Sequence, residues 1–305
     1  MARYKLKPEI VYLMDTTTHR RLRDLLKWAE LRQYLENPIY AVLDEILWRF
    51  TSTLEAEASI VYPYPQHRLI PHKLARNQAI NTIKDATPDF SITVSPTSLG
   101  PESFVALFEV KRLCHPNRLY SRHPTIATPH MIFWVNNRSM SIACDNFRKH
   151  IEQIVLQAYC GFTCSNQQSI CHIFVCGFYF WLIEFRRPAN VQVSTSHTPS
   201  TFTKALLGQL MPKSSLNVIF SAADIFEYVS LPLKFSPEWK HALQMACDSV
   251  NITQKSEAGL FAIGAQTEFS FPVRTLEMAR SDIDTWYAAE VPKATATFHN
   301  PNNRR

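Results

Sequence analysis

An apolar run that ends in charge constrains this chain more than any other feature. Residues 104–111, FVALFEVK, are apolar over the first five positions and then close on Glu109-Val110-Lys111. Apolar at successive positions and bounded by turn residues, the run reads as a strand buried on both faces. Such a strand has no reason to finish with Glu and Lys unless its tip emerges at a site. Side chains alternate along a strand, so Glu109 and Lys111 share one face while Val110 takes the other. Just upstream, Pro88-Asp89 precedes a period-2 stretch, FSITV, and the turn-rich PTSLGPES joins the two runs. With Asp89 on the same side, two carboxylates and an ammonium converge, a set suited to a hard divalent cation and a charged phosphate.

Composition narrows the classes around that stretch. At 305 residues with 46% hydrophobic content, the chain can bury a substantial core as one large domain or two small ones. Six glycines are too few and too scattered for a GxGxxG turn, and MPKSSL lacks the glycines of a phosphate loop, which sets aside the common nucleotide-cofactor folds. Seven cysteines, odd in number and without a CxxC pair, point to buried thiols in a reducing compartment rather than to a disulfide framework or a zinc site. The N-terminus carries no apolar signal core. The longest apolar run, 173–183, falls short of the ~20 residues of a membrane span. The expected location is therefore intracellular, nucleus or cytoplasm, with no membrane partner. A formal charge of +6 is compatible with a polyanionic partner without requiring one.

In chain order, HRRLRDLLKWAELRQYLEN has apolar residues at helical spacing and a crowded basic side, read as a solvated face. Asn37-Pro38 then opens a second helix whose stripe is Ile39, Val42, Leu43, Ile46, Leu47, Phe50 and Leu54, with Glu45 on its flank. Glu45 is a candidate site residue, against the plainer reading of an i,i+4 pair with Arg49. Proline-broken strands and turns follow from residue 59, with His67, Arg68, His72, Lys73 and Arg76 either lining a phosphate path or simply solvated. Residues 113–140 read as a long connection, and 141–162 as a helix with core residues Phe147, Ile151, Ile154, Val155, Ala158 and Phe162 and with Gln153 and Gln157 along its flank. An apolar hairpin turning near Gly177 comes next. Beyond it, short helices are expected at 201–210 and 222–228, a longer one at 237–250, and a disordered tail from about residue 292.

The order of helix with Glu45, Pro88-Asp89, Glu109-Val110-Lys111, helix with Gln153 and Gln157, and apolar strand pair resembles the PD-(D/E)xK superfamily of restriction-endonuclease-like nucleases, with a rhythm like that of fungal members. The resemblance spans about 38–187 and implies an α/β fold in which a central mixed β-sheet is flanked by helices. The expected organisation is an N-terminal helical extension over 1–37, the nuclease-like core over 38–187, an α-rich C-terminal extension over 188–291 packed on it, and the tail over 292–305. As the resemblance implies, Asp89 and Glu109 bind Mg²⁺ (or Mn²⁺), the Val110 carbonyl completes the shell, and Lys111 positions or deprotonates the attacking water, its pKa depressed by the nearby cation and by partial desolvation. Glu45 and Gln153 join them as further catalytic candidates. The implied partner is nucleic acid, DNA ahead of RNA, with pairing into a homodimer one way to cut both strands. The alternative is a catalytically silent module of the same fold that binds nucleic acid or a protein.

Overall fold

A computed structural model of the chain describes residues 20–26, 28–29, 36–56, 59–67, 69, 86–97, 101–113, 137–189, 191, 204–227, 234–254, 261 and 273–298. Pro38 sits in the first turn of α1 (Asn37–Ser52), where its missing N–H costs nothing, and every member of the predicted stripe is buried. The helical residues at 20–29 lay Leu22, Leu26 and Ala29 into the same core.

The central sheet has six strands: β2 (Ser59–Pro65), β3 (Phe90–Pro96), β4 (Ser103–Lys111), β5 (Ser169–Cys176), β6 (Tyr179–Arg186) and β7 (Leu216–Asp224), in that spatial order. A separate two-stranded pairing joins β1 (Leu54–Glu55) to β8 (Thr253–Gln254). β2, β3 and β4 form an antiparallel meander. β5 is parallel to β4, which requires a crossover, and α2 (Asn137–Cys164) supplies it. β6 and β7 continue antiparallel. The β5–β6 hairpin turns at Gly177, whose φ of +62° and 3.2 Å approach of an added Cβ to Leu113 both favour glycine. The protein is thus α/β, with a mixed central sheet flanked by helices.

Two apolar layers follow from the alternation of β4 and its neighbours. On one face, α1 and α4 (Pro237–Asp248) cover Phe108, Val110 and Phe180, the last edge-on to Trp239 at 5.0 Å. On the other, α2, α3 (Lys204–Leu210) and α5 (Val273–Phe298) cover Leu107, Phe174 and Trp181, with Phe147 stacked on Trp181 at 5.2 Å. The second layer faces the candidate site.

Two expectations about the C-terminal half change. Residues 222–224 end strand β7 instead of opening a helix, because pairing with β6 and burial of Val218, Phe220, Ala222 and Ala223 override the local preference of Ala-Ala for helix. The sheet therefore extends past residue 187 into the segment expected to be an α-rich addition. Helix α5 likewise runs to Phe298, across the boundary at 292, in a stretch rich in helix-favouring alanine. Most of the connection expected at 113–140 lies outside the described residues.

Arg187 closes the hairpin onto the end of α2. Its guanidinium donates to the carbonyls of Gln167 (2.7 Å), Val191 (3.1 Å), Phe162 (2.7 Å) and Ser165, while stacking over the Phe162 ring at 5.1 Å. Arg187→Ala leaves these carbonyls without their donor and is expected to destabilise the fold by about 2–4 kcal/mol, read by urea unfolding. A change below about 0.5 kcal/mol would mean that water replaces the guanidinium at no cost.

Candidate active site

The β3–β4 register brings the motif residues together. Phe90 lies opposite Phe108, so Asp89, one position earlier, arrives beside Glu109 and Val110. Asp89 Oδ2 accepts the Val110 N–H at 2.7 Å and lies 3.6 Å from Lys111 Nζ. Lys111 Nζ also pairs with Glu109 Oε1, two residues back on the same face of β4. Asp89 Oδ1 accepts the Tyr40 hydroxyl from α1 at 2.8 Å, and Glu36 Oε2 lies 3.4 Å from that hydroxyl. The crossover helix completes the inner wall. Gln157 Nε2 donates to Glu109 Oε2 at 2.6 Å and lies 3.4 Å from the Thr87 carbonyl.

Behind Gln157 sits His172 of β5, fully buried. Because the Gln157 Nε2 faces two acceptors, its Oε1 faces His172 Nε2 at 2.6 Å, and the imidazole must be the donor. Nε2 thus carries the proton and Nδ1 does not. Burial drives the His172 pKa down to about 3, so the ring is neutral and the tautomer is fixed. Glu109, Gln157 and His172 form one buried line from the site into the sheet.

Charge in this cluster is arranged around Glu109. Its carboxyl is withdrawn from solvent, and burial first, then the neighbouring Asp89, push its pKa up to about 7 against the pull of Lys111 and Gln157. Burial alone would lower the pKa of Lys111, but Glu109 and Asp89 outweigh it and hold the ammonium above its ordinary value. The depressed lysine expected from the sequence is one beside a bound cation; with the two carboxylates against it, Lys111 keeps its proton. Burial and Asp89 also raise the Tyr40 hydroxyl, keeping it a donor. His150, nearly two turns before Gln157 on α2, donates from Nδ1 to the Asn146 carbonyl at 2.7 Å. Burial lowers its pKa, with Lys111 and Glu36 among the charges it feels.

The other predicted residues fall differently. Val110 puts its side chain into the opposite core, as expected, and the contact it makes with the site is through its N–H to Asp89. Gln153 is half-buried on α2, but the glutamine that reaches Glu109 is Gln157. Glu45 pairs with Arg49 Nε at 3.0 Å and Arg21 Nε at 2.9 Å, tying the N-terminal helix to α1, and no contact among the described residues joins it to Asp89. The carboxylate that α1 brings near the site is Glu36. The signal was legible: once Pro38 fixes the helix start, Glu36 and Tyr40 stand four apart on one face. His172 had a signal too, since a lone histidine in an apolar strand must find a hydrogen-bond partner.

The donor chemistry fits a hard cation in part. Asp89 and Glu109 offer carboxylate oxygens side by side, with Glu36 nearby across Tyr40. Among the described residues, however, no three His, Cys, Asp or Glu side chains gather closely enough to hold a metal, and Lys111 supplies the positive charge between the two carboxylates. Nor is any described helix long and apolar enough to cross a membrane. Compared with protein-family models, curated proteins and solved structures, the chain matches none.

Proposed function

We propose that this chain is a metal-dependent nuclease of the PD-(D/E)xK type, hydrolysing phosphodiester bonds of nucleic acid, DNA ahead of RNA. The observation that carries the reading is the convergence of Asp89, Glu109 and Lys111 at the tips of adjacent strands, with Gln157 of the crossover helix bonded to Glu109. The succession of α1, antiparallel meander, crossover helix and parallel strand also supports a restriction-endonuclease-like core.

On this reading, Asp89 and Glu109 would hold Mg²⁺ or Mn²⁺, which when bound supplies an acidified water and charge to offset the phosphate. Tyr40 and the Val110 N–H orient Asp89, and Gln157 orients Glu109. Lys111, held as an ammonium against the two carboxylates, positions the water and faces the charge that builds on the phosphate.

A catalytically silent binding module is the second reading, favoured by Lys111, whose ammonium pairs with both carboxylates. Incubation of the purified chain with supercoiled DNA, single-stranded DNA and RNA in Mg²⁺, Mn²⁺ or EDTA separates the two. The nuclease reading expects cleavage that needs the metal and that falls by roughly a thousandfold in Asp89→Ala. Equal cleavage by Asp89→Ala and the parent chain sinks it, and binding without cleavage under all conditions leaves the module.

A further inference from the structure

Beside the site, the edge of the sheet carries a set of rings in mutual contact. Tyr62 and Tyr64 of β2 have centroids 6.2 Å apart, and Tyr64 lies 4.5 Å from the His67 ring at an interplanar angle of 33°. Tyr64 is the outer ring, 44% exposed. From this arrangement, and resting on the nuclease reading for where the phosphate sits, we infer that Tyr64 on His67 is a stacking platform for an unpaired base next to the scissile phosphate, so that the substrate is single-stranded or frayed nucleic acid.

Three observations carry this. First, the platform is built. His67 Nδ1 lies 2.8 Å from Ser91 Oγ and 3.3 Å from Thr93 Oγ1, both hydroxyls fully buried, and Nε2 lies 3.6 Å from Glu102 Oε2. The chain reverses onto Tyr64 through Gln66, a non-glycine residue at φ +49°, a conformation that persists only where the surroundings enforce it. Second, it is close. Tyr64 pairs across the ladder with Ser91, two residues from Asp89, and the Gln66 N–H donates to the Asp89 carbonyl at 2.8 Å. Two residues of strand span roughly 7 Å, which a stretched nucleotide can bridge.

Third, its charge selects what part of a nucleic acid lies there. Glu102, 41% exposed beside His67, repels a phosphate, whereas the uncharged face of a base is welcome over the Tyr64 ring. The backbone then passes the Lys111 ammonium. Inside a duplex both faces of a base are already covered by its neighbours, so stacking on protein requires an unpaired base.

Fluorescence anisotropy with labelled oligothymidylate of about a dozen nucleotides, in Ca²⁺ and in EDTA, tests this on the full chain, with oligouridylate and a duplex of equal length as further probes. Tyr64→Leu is expected to weaken single-strand binding at least about fivefold and leave duplex binding unchanged, while Tyr64→Phe retains affinity. An abasic tract at the platform end should lose affinity for the parent chain as well, independently of any variant. Equal affinity of Tyr64→Leu and the parent for single strands, an equal loss on duplex, or no single-strand binding by the parent in either buffer overturns the platform. Cleavage is scored separately: metal-dependent cutting with unchanged Tyr64→Leu binding removes the platform alone, and lost binding without any cutting removes the nuclease alone.

Discussion

Lys111→Met is expected to destabilise the folded chain by about 3–5 kcal/mol at alkaline pH, because it strips the counter-charge from a buried carboxylate. Glu109 is 1% exposed at its side chain and has Asp89 as a like-charged neighbour, so without the ammonium its pKa must climb further above the parent's value of about 7. The sign follows from proton linkage. A carboxyl whose folded pKa is raised binds more protons when folded, so its stabilisation is full below the unfolded pKa and is lost as pH rises through the folded one. In the parent that loss runs from about 4.5 to about 7. In the variant it continues to higher pH, so the gap between the two proteins should widen as pH rises beyond about 7. Urea midpoints measured across that range check it; a gap independent of pH would mean that Lys111 does not neutralise Glu109. On the nuclease reading, Mg²⁺ should also raise the variant's melting temperature at high pH more than the parent's, a readout that needs no cleavage. No effect of Mg²⁺ on either protein would count against cation binding at these carboxylates.

How much of this was legible in the sequence depends on the range over which each contact is set. Strand β4 declared itself because an apolar run ending in Glu109 and Lys111 has few other uses, and α1 because seven apolar residues fall on one stripe. Both are local patterns. Asp89 joined them only if the β3–β4 register was right, and the linker between the strands left that register open. Gln157 and Gln153 could not be told apart from the sequence. They stand one turn apart on the same helix flank, and which one meets Glu109 depends on how the crossover docks α2 on the sheet. Glu45 was open for the same kind of reason. Its position on α1 allowed either a cleft or a pair with Arg49, and Arg21 from a segment more than twenty residues upstream decided it. β7 was missed because its pairing partner, β6, lies thirty residues earlier and overrides the preference of Ala222-Ala223.

Gln157→Leu should rank with Lys111→Met in its effect, for a different cause. The amide is the sole bridge between Glu109 Oε2 and His172 Nε2 among the described residues, with both bonds at 2.6 Å and all three side chains withdrawn from water. Leucine fills the space and offers neither donor nor acceptor, so a carboxylate oxygen and an imidazole N–H are orphaned at once. At about 1–3 kcal/mol for each of the two buried groups left unsatisfied, the expected loss is about 2–6 kcal/mol. A double-mutant cycle separates this from simple repacking. His172→Phe alone orphans the Gln157 carbonyl oxygen, whereas in Gln157→Leu/His172→Phe that polar pair is gone altogether, so the double variant should cost less than the sum of the singles by about 1–2 kcal/mol. Strict additivity would mean that the Gln157–His172 bond contributes nothing. On the nuclease reading the same line orients Glu109, and Gln157→Leu should lower cleavage about 10- to 100-fold, as loss of a group that orients a ligand does. His172→Gln, which can still donate to the Gln157 oxygen, should recover part of that loss; equal activity of His172→Gln and His172→Phe would show that the imidazole proton does not set the amide's orientation.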